Sequence, residues 1–234
     1  MLQLGMVVVF VVGKPGANKT RRAIEKERDQ YDDIVQGDFI DSYGNISLKA
    51  LTWLKWAANY CSQPKYLLKI DDDVFVNAFA LRSLLKERGS NAGHFDILCD
   101  PKANDRPARD PKSKWYMPPE QYGNDTWPTF CFGGAYIISM ELVPLMHRAS
   151  LTTPFVWLED VFITALIPAR VNRQLAPTSG GGAVRLVNIS QRYDWYGRKG
   201  RNLLVDGSIL FEHSAGLDAR LDTWKQILRR QNLS

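Results

Sequence analysis

The sequence predicts an α/β protein in which a central, mostly parallel sheet is flanked by helices. A continuous apolar run at residues 6–12, and a run at 66–70 that is apolar except for Lys69, predict buried strands. Segments with helical spacing alternate with such runs over the first hundred residues, which favours parallel pairing. The 234 residues contain neither an internal repeat nor a linker. A single domain over residues 1–234 is therefore predicted.

The individual elements follow from periodicity and from start and stop residues. Asn45 or Ser47 is the predicted cap of one helix, and Gly89 is the predicted stop of another. Helices are predicted at 20–31, 47–60, 77–88, 140–148 and 158–168, further strands at 33–35, 94–99, 130–139, 185–187 and 208–212, and loops at 100–113 and 176–183.

Charge and hydropathy exclude several classes of protein. Thirty basic and twenty-five acidic residues give a net charge of +5, and the basic residues are scattered rather than grouped. This distribution predicts no nucleic-acid partner and suits an anionic ligand or an ordinary basic surface equally well. No apolar run approaches the roughly 20 residues that a membrane-spanning helix needs.

Glycosylation sequons indicate the compartment. Five N-x-[ST] sequons occur where about one is expected by chance, which favours passage through the secretory pathway. Three cysteines allow one disulfide and one leftover thiol, and the residues alone leave the pairing open. The sequon asparagines are Asn18, Asn45, Asn124, Asn188 and Asn232, and the cysteines are Cys61, Cys99 and Cys131.

Three adjacent carboxylates follow the apolar run 66–70. In extended backbone Asp71 and Asp73 would face one side and Asp72 the other. Ligands of open α/β sheets bind just past the carboxyl ends of strands, and three carboxylates there repel one another unless a cation offsets them. Oxygen ligands favour Mg²⁺ or Mn²⁺, often together with substrate phosphates. The alternative is an ordinary acidic turn.

Two further segments carry candidate functional residues. Glu159 and Asp160 open a predicted helix beside Trp157, where they are either a catalytic carboxylate pair or helix-stabilising acids. His213 lies on an apolar strand, where it is either a structural residue or a metal ligand alongside carboxylates. Gly133 and Gly134 permit close approach of backbone to a ligand or to a neighbouring strand.

One motif favours a different function. Residues 13–20 match the P-loop pattern G-x-x-x-x-G-K-[ST] except that Asn18 replaces the second glycine. The loop backbone wraps phosphates by means of that glycine, and Pro15 removes an N–H that could serve there. A P-loop nucleotide hydrolase is therefore a minor alternative.

The ordered set of motifs resembles the β-1,3-galactosyltransferase family, which includes β-1,3-N-acetylglucosaminyltransferases and is related to Fringe. The resemblance runs from about Val9 to His213. It covers residues 31–49, Trp56 with Cys61, 69–77, 114–116, the Cys131–Gly134 segment and 159–161.

The resemblance implies a GT-A glycosyltransferase fold with a nucleotide-sugar-binding half at residues 1–100 and an acceptor-binding, catalytic half at 101–234. It implies Mn²⁺ as cofactor and a UDP-sugar and a glycan as substrates. The implied roles are metal ligand for Asp73 and His213, donor binding for Asp71, Asp72 and Lys49, catalytic base for Asp160, and acceptor binding for Trp157, Glu159, Gly133 and Gly134.

The implied reaction is inverting transfer to the 3-hydroxyl of the acceptor, with UDP-galactose as the expected donor. UDP-N-acetylglucosamine as donor and an inactive homologue that only binds are the alternatives. The implied location is the Golgi lumen, in a type II membrane protein whose anchor and Arg-rich segment before the first strand are expected to be missing from this chain. The family's third glycine after Cys131 is replaced by Ala135, and its glycine after the Glu159–Val161 motif is replaced in residues 163–165.

Overall fold

A computed structural model describes residues 4–89, 95–175, 183–213 and 216–233, and in it strands and helices alternate as the sequence predicts. The α/β class is thereby confirmed. The strands are β1 (Phe10–Lys14), β2 (Ile34–Ile40), β3 (Tyr66–Ile70), β4 (Val74–Val76), β5 (Asp96–Cys99), β6 (Pro101–Lys102), β7 (Phe130–Cys131), β8 (Ala135–Ser139), β9 (Arg185–Asn188), β10 (Tyr193–Asp194) and β11 (Phe211–His213).

The helices predicted at 20–31, 47–60, 77–88 and 140–148 are confirmed, with boundaries shifted by a few residues. The helix predicted at 158–168 continues to Leu175, and the helices at 201–205 and 217–230 lie outside the predicted ones. The helices are α1 (Asn18–Tyr31), α2 (Ile46–Tyr60), α3 (Ala78–Arg88), α4 (Val143–Ser150), α5 (Glu159–Val161), α6 (Ile167–Leu175), α7 (Arg201–Val205) and α8 (Leu217–Arg230). Asn77 caps α3 by accepting a hydrogen bond from the Ala80 N–H, and Gly89 ends that helix. The predicted loop 176–183 lies, except for residue 183, outside the described residues, as does the start of the strand predicted at 94–99.

The main sheet has the order β3-β8-β5-β9 and is mixed rather than mostly parallel. β8 runs antiparallel to both β3 and β5, whereas β9 pairs parallel with β5. The reason lies in the segment predicted as one strand at 130–139. It breaks at Phe132–Gly134 into β7 and β8, and the fully buried run of β8 enters the middle of the sheet.

Both faces of the main sheet are covered. Alternate residues of β5 and β8 point to opposite sides, as the strand period of two requires. Ile97, Tyr136 and Ile138 pack in one core cluster with α2, α4 and α6. Leu98 and Ile137 pack in a second cluster with β4, α3 and β11. β3, β5 and β9 run in one direction, so their carboxyl ends share one edge of the sheet.

The first apolar run is the largest departure from prediction. The strand begins at Phe10 rather than Met6, and the side chains of Val7 and Val8 are 89% and 65% exposed. Among the described strands, β1 pairs with β2 alone, in a separate two-stranded parallel sheet. A continuously apolar strand is buried only where other parts of the fold pack on both of its faces. In the described part of the chain, residues 6–9 lack that cover.

Two polar side chains at the start of α2 bond elsewhere than predicted. Asn45 stands at the cap position without capping the helix, and its side-chain amide donates to the Ile40 carbonyl. The Ser47 hydroxyl is fully buried and contacts the carbonyls of Val156 and Trp157 at 2.9 and 2.8 Å. Ser47 therefore ties α2 to the segment that leads into Glu159.

The cysteine pairing left open by the sequence is Cys99 with Cys131, and Cys61 is a free thiol. The disulfide joins the end of β5 to β7, next to the break before β8. None of the described helices is long and apolar enough to cross a membrane.

Candidate functional site

Residues 71–73 form a turn between β3 and β4, closed by a 3.1 Å hydrogen bond from the Val74 N–H to the Asp71 carbonyl. The turn replaces the extended arrangement expected from sequence. The Asp71 N–H also donates to the Gly134 carbonyl at 2.9 Å. The acidic turn is thus fixed against the segment that precedes β8, at the carboxyl edge of the sheet.

Lys69, the penultimate residue of β3, lies at the centre of a buried charge cluster. Its ammonium is 2.6 Å from Asp71 Oδ1 and 3.6 Å from Glu159 Oε2, and it donates to the Gly133 carbonyl. Burial acts to lower the pKa of Lys69, but the charges of Glu159 and Asp71 outweigh it and the pKa is raised. Lys69 therefore stays charged and connects the acidic turn to the Glu159–Asp160 pair.

Glu159 is 7% exposed and has two partners. Its Oε1 accepts a hydrogen bond from the hydroxyl of buried Tyr136, and its Oε2 faces Lys69. Burial raises the pKa of Glu159 and is only partly offset by Lys69 and Tyr136. These contacts anchor the start of α5. The predicted contact of Glu159 with an acceptor stays a prediction.

Asp160 lies beside the bare backbone of Gly133. A Cβ added at Gly133 would be 3.3 Å from the Asp160 Cβ and 3.6 Å from Oδ2. Burial raises the pKa of Asp160, the Val161 N–H and Lys69 partly offset this, and Asp105 raises it further. Asp160 thus combines a raised pKa with a close neighbour that carries no side chain, features that suit a general base.

The backbone around Asp160 departs from a regular helix. Residues Phe162–Leu166 form a π-helical turn between α5 and α6, a feature frequent at functional sites. The buried Thr164 hydroxyl donates to the Asp160 carbonyl and accepts the Cys131 N–H at 2.8 Å. The helix that carries Asp160 is therefore bonded directly to the β7–β8 segment.

His213 closes the other side of the acidic turn. β11 pairs antiparallel with β4, with His213 opposite Val74. Nε2 of His213 is 3.3 Å from Asp73 Oδ2, and Nδ1 is 3.3 Å from the Trp195 carbonyl. The Trp195 carbonyl and the Asp73 carboxylate are both acceptors, so the tautomer of His213 decides to which of them it donates. Donation from Nδ1 to the carbonyl would leave the Nε2 lone pair available to a cation beside Asp73.

Gly134 has no room for a side chain. A Cβ there would lie 2.7 Å from the ring of Trp195, whose Nε1 donates to Asp100 Oδ2 at 2.8 Å. Glycine is thus needed here for close approach of the indole ring, and the predicted contact of Gly134 with an acceptor stays a prediction.

We expect Gly134→Ala to lower the free energy of unfolding by about 1–3 kcal/mol, because the ring must move within a packed core. Gly16→Ala is the matched control, since a Cβ at Gly16 would meet no atom within 4 Å. Chemical denaturation of both variants measures the difference. Equal stability of the two variants would contradict the assigned contact.

Trp157 and Lys49 lie on the α2 side of the site. Trp157 Nε1 donates to the Tyr116 carbonyl at 3.2 Å, and its ring meets Tyr43 edge-on at 6.2 Å. The Lys49 ammonium pairs with Asp41 at 2.9 Å. The structure thus places Trp157 against Tyr116 and Tyr43, while the acceptor-binding role of Trp157 and the donor-binding role of Lys49 stay predictions.

Sequence reasoning assigned no role to several residues that hold the site together. Lys69 was part of the acidic motif, and its position two residues before Asp71 was a usable signal. Tyr136, Trp195 and Arg220 come from distant parts of the chain, and only the fold shows that they meet the predicted residues.

The P-loop alternative is not supported by the strand arrangement. The strand before residues 13–20 is β1, which pairs with β2, whereas the strand before Asp71 is β3, which pairs with β8 in another sheet. The acidic turn is therefore not on a strand beside the glycine-containing loop, where a P-loop site would need its metal-binding carboxylate.

The fold defines an α/β protein whose candidate functional residues lie at the carboxyl edge of its sheet, the edge at which such proteins bind ligands. Residues 2–174 match the model of the family described as Galactosyltransferase. The chain belongs to this family, which confirms the resemblance to β-1,3-galactosyltransferases.

Individual relatives agree with the family. The beta-1,3-galactosyltransferases 1 of Homo sapiens and Mus musculus are each 38% identical to this chain over 159 residues. The match covers 68% of this chain and 48% of each relative. Beta-1,3-galactosyltransferase 5 of Homo sapiens is 31% identical over 166 residues, 71% of this chain and 53% of the relative. The chain spans about half the length of the curated relatives it matches.

Among solved structures, a glycosyltransferase involved in the glycosylation of the major capsid of PBCV-1 is similar at a TM-score of 0.40 and 10% identity. The match covers 96% of this chain and 100% of that chain. A likeness of this size adds no argument to the family assignment.

Proposed function

We propose that this chain is the catalytic domain of a metal-dependent inverting hexosyltransferase that transfers galactose from UDP-galactose to the 3-hydroxyl of a glycan acceptor on a glycoprotein or glycolipid. The observation that carries the proposal is Asp160, a carboxylate of raised pKa packed against the backbone of Gly133, in a member of the galactosyltransferase family.

Asp160 acts as the general base. It takes the proton of the acceptor hydroxyl as that oxygen attacks the anomeric carbon. The bond from this carbon to the UDP oxygen breaks in the same step, and the electron pair leaves with UDP. One displacement from an α-linked donor yields a β-linked product. The charge of Lys69 favours the ionised form of Asp160. The Thr164 hydroxyl holds the Asp160 carbonyl and is itself held by the Cys131 N–H.

Asp73 and His213 are proposed to hold Mn²⁺. The carboxylate oxygen and the imidazole nitrogen are 3.3 Å apart, close to the ~3 Å that separates adjacent ligands of an octahedral ion with bonds of about 2.1 Å. Among the described residues no group of three or more His, Cys, Asp or Glu could hold a metal. A two-residue site suits an ion that also binds substrate phosphates. Bound there, the ion would offset the charge of the departing diphosphate.

We expect Asp73→Asn and His213→Gln each to weaken Mn²⁺ binding in the presence of UDP by more than about tenfold. Removal of a residue that only supports a metal ligand already costs about tenfold or more, and these two residues are the proposed ligands themselves. Asp38→Asn is the control, because Asp38 is an exposed carboxylate paired with Lys14. Titration of free Mn²⁺ by electron paramagnetic resonance measures the affinity. Wild-type affinity in both site variants would refute this metal site.

The proposed location is the Golgi lumen, within a type II membrane protein. The Cys99–Cys131 disulfide supports an oxidising compartment, and five sequons support passage through the secretory pathway. Release of glycans by a peptide N-glycosidase from protein made in cultured cells, read by mass spectrometry, tests the secretory route. A chain that carries no glycan would count against it.

Product formation tests the activity. The secreted protein is offered UDP-galactose and UDP-N-acetylglucosamine side by side, with a panel of sugar acceptors, in Mn²⁺ and in chelator. Transfer from UDP-galactose that chelator abolishes is the expected result. Transfer only from UDP-N-acetylglucosamine would change the donor and keep the chemistry. Mn²⁺-dependent UDP binding without transfer to any acceptor would favour an inactive binding protein.

A further inference from the structure

The acidic turn is held by a side chain from the last helix of the chain. Arg220, in the first turns of α8, donates from Nη1 to the Asp72 carbonyl at 2.9 Å and from Nη2 to the Asp73 carbonyl at 2.6 Å. One planar guanidinium therefore spans two successive peptide carbonyls, a fork geometry that lysine cannot reproduce. The contacts are to backbone, so they leave the Asp73 carboxylate directed at His213.

The helix that presents Arg220 is firmly placed. Thr223 and Ile227 are buried to 1% and 0% exposure, and Trp224 stacks on Phe79 of α3 at 5.8 Å. α3 directly follows β4, the strand that begins where the acidic turn ends. The helix also packs on α7, so the position of Arg220 relative to the turn is set by the packing of α8 as well as by the contacts of the arginine itself.

His213 lies on β11, only a few residues before α8 begins. One short stretch of chain therefore supplies both the imidazole that faces Asp73 and the guanidinium that fixes the backbone of Asp73. This stretch lies beyond residues 2–174, which match the family model.

We infer that Arg220 is a positioning residue of the donor site, which fixes the Asp72–Asp73 backbone so that the Asp73 carboxylate and the His213 imidazole stay aligned on one divalent cation. The inference rests on the proposed function, because it assigns Arg220 a duty toward the proposed Mn²⁺ site. The chemistry is that of a supporting partner, which orients a ligand without touching the ion.

Arg220→Gln is expected to weaken Mn²⁺ binding in the presence of UDP by about 10- to 100-fold, the usual effect of removing a supporting partner. Arg220→Lys is expected to lose part of the affinity, because it keeps the charge but not the fork. Arg229→Gln is the matched control, since it removes the same charge from an exposed position near the end of the same helix. Manganese titration by electron paramagnetic resonance is combined with thermal melting of each variant.

Weakened Mn²⁺ binding by folded Arg220→Gln, with Arg229→Gln like wild type, supports the inference. Wild-type affinity in Arg220→Gln would overturn it even if the melting temperature falls, because the arginine would then only stabilise the fold. If Arg220→Gln does not fold, Arg220→Lys decides, and wild-type affinity in that variant overturns the inference. Loss of binding in Asp73→Asn but not in the Arg220 variants leaves the proposed metal site standing, whereas a wild-type protein that binds no Mn²⁺ with UDP overturns both.

Discussion

Asp160→Asn is expected to lower kcat roughly 100- to 10,000-fold, the contribution of a general base, while binding of UDP and Mn²⁺ stays close to wild type. Asparagine has nearly the shape of aspartate and can keep the hydrogen bond from the Val161 N–H. It cannot take the proton of the acceptor hydroxyl. Steady-state kinetics together with UDP titration separates the two effects.

Asp125→Asn is the control for that experiment, because Asp125 is an exposed carboxylate in the same half of the chain. The pKa of Asp160 is raised, so the acid limb of the rate profile should lie above the ordinary aspartate value of 3.8. Turnover by Asp160→Asn at the wild-type rate would remove Asp160 from the role of base.

Lys69→Met is expected to lower the free energy of unfolding by about 3–5 kcal/mol near neutral pH, because it leaves the Glu159 carboxylate buried without its charged partner. The side chains of Lys69 and Glu159 are only 13% and 6% exposed, so water screens their interaction little. Lys14→Met, which breaks an exposed pair with Asp38, is the control and should change stability little.

The pH dependence of this loss has a defined sign. The pKa of Glu159 is already raised in the folded protein, and removal of Lys69 raises it further. A raised folded pKa adds stability below the unfolded value, near 4.5, and that contribution is lost as pH rises through the folded pKa. The deficit of Lys69→Met should therefore shrink at acid pH. Urea denaturation across pH measures it.

A second substitution tests the cause of the deficit. Lys69→Met combined with Glu159→Gln should recover part of the stability, because the amide still accepts the Tyr136 hydroxyl without a buried charge. Lys69→Met should also move the acid limb of the transfer rate to higher pH, since Lys69 lowers the pKa of Asp160. Wild-type stability of Lys69→Met at every pH would contradict the assigned cluster.

Sequence alone predicted the parts of the site that are local in the chain. The carboxylates of residues 71–73 follow a strand, and Glu159 and Asp160 begin a helix, both as expected. His213 is joined to Asp73 by the pairing of β11 with β4. The spacing of apolar residues could not show that pairing, so the metal-ligand role of His213 was predicted from the family resemblance.

The errors have a common physical origin in long-range packing. The sheet was expected to be mostly parallel because strands and helices alternate, but β8 arrives after a long loop and inserts antiparallel between β3 and β5. The run at residues 6–12 is apolar enough for a buried strand, yet Val7 and Val8 are exposed. Periodicity reports which residues could be buried and not which layers cover them.

The central claim is a single inverting displacement from UDP-galactose assisted by Asp160, and the anomeric configuration of the first-formed product tests it most directly. Nuclear magnetic resonance of the product during the reaction shows whether galactose is α- or β-linked, and through which oxygen. The proposal predicts a β-linked galactose on O3 of the acceptor, formed from the α-linked donor without an α-linked product at any time. An α-linked first product would mean retention of configuration and would contradict the role assigned to Asp160.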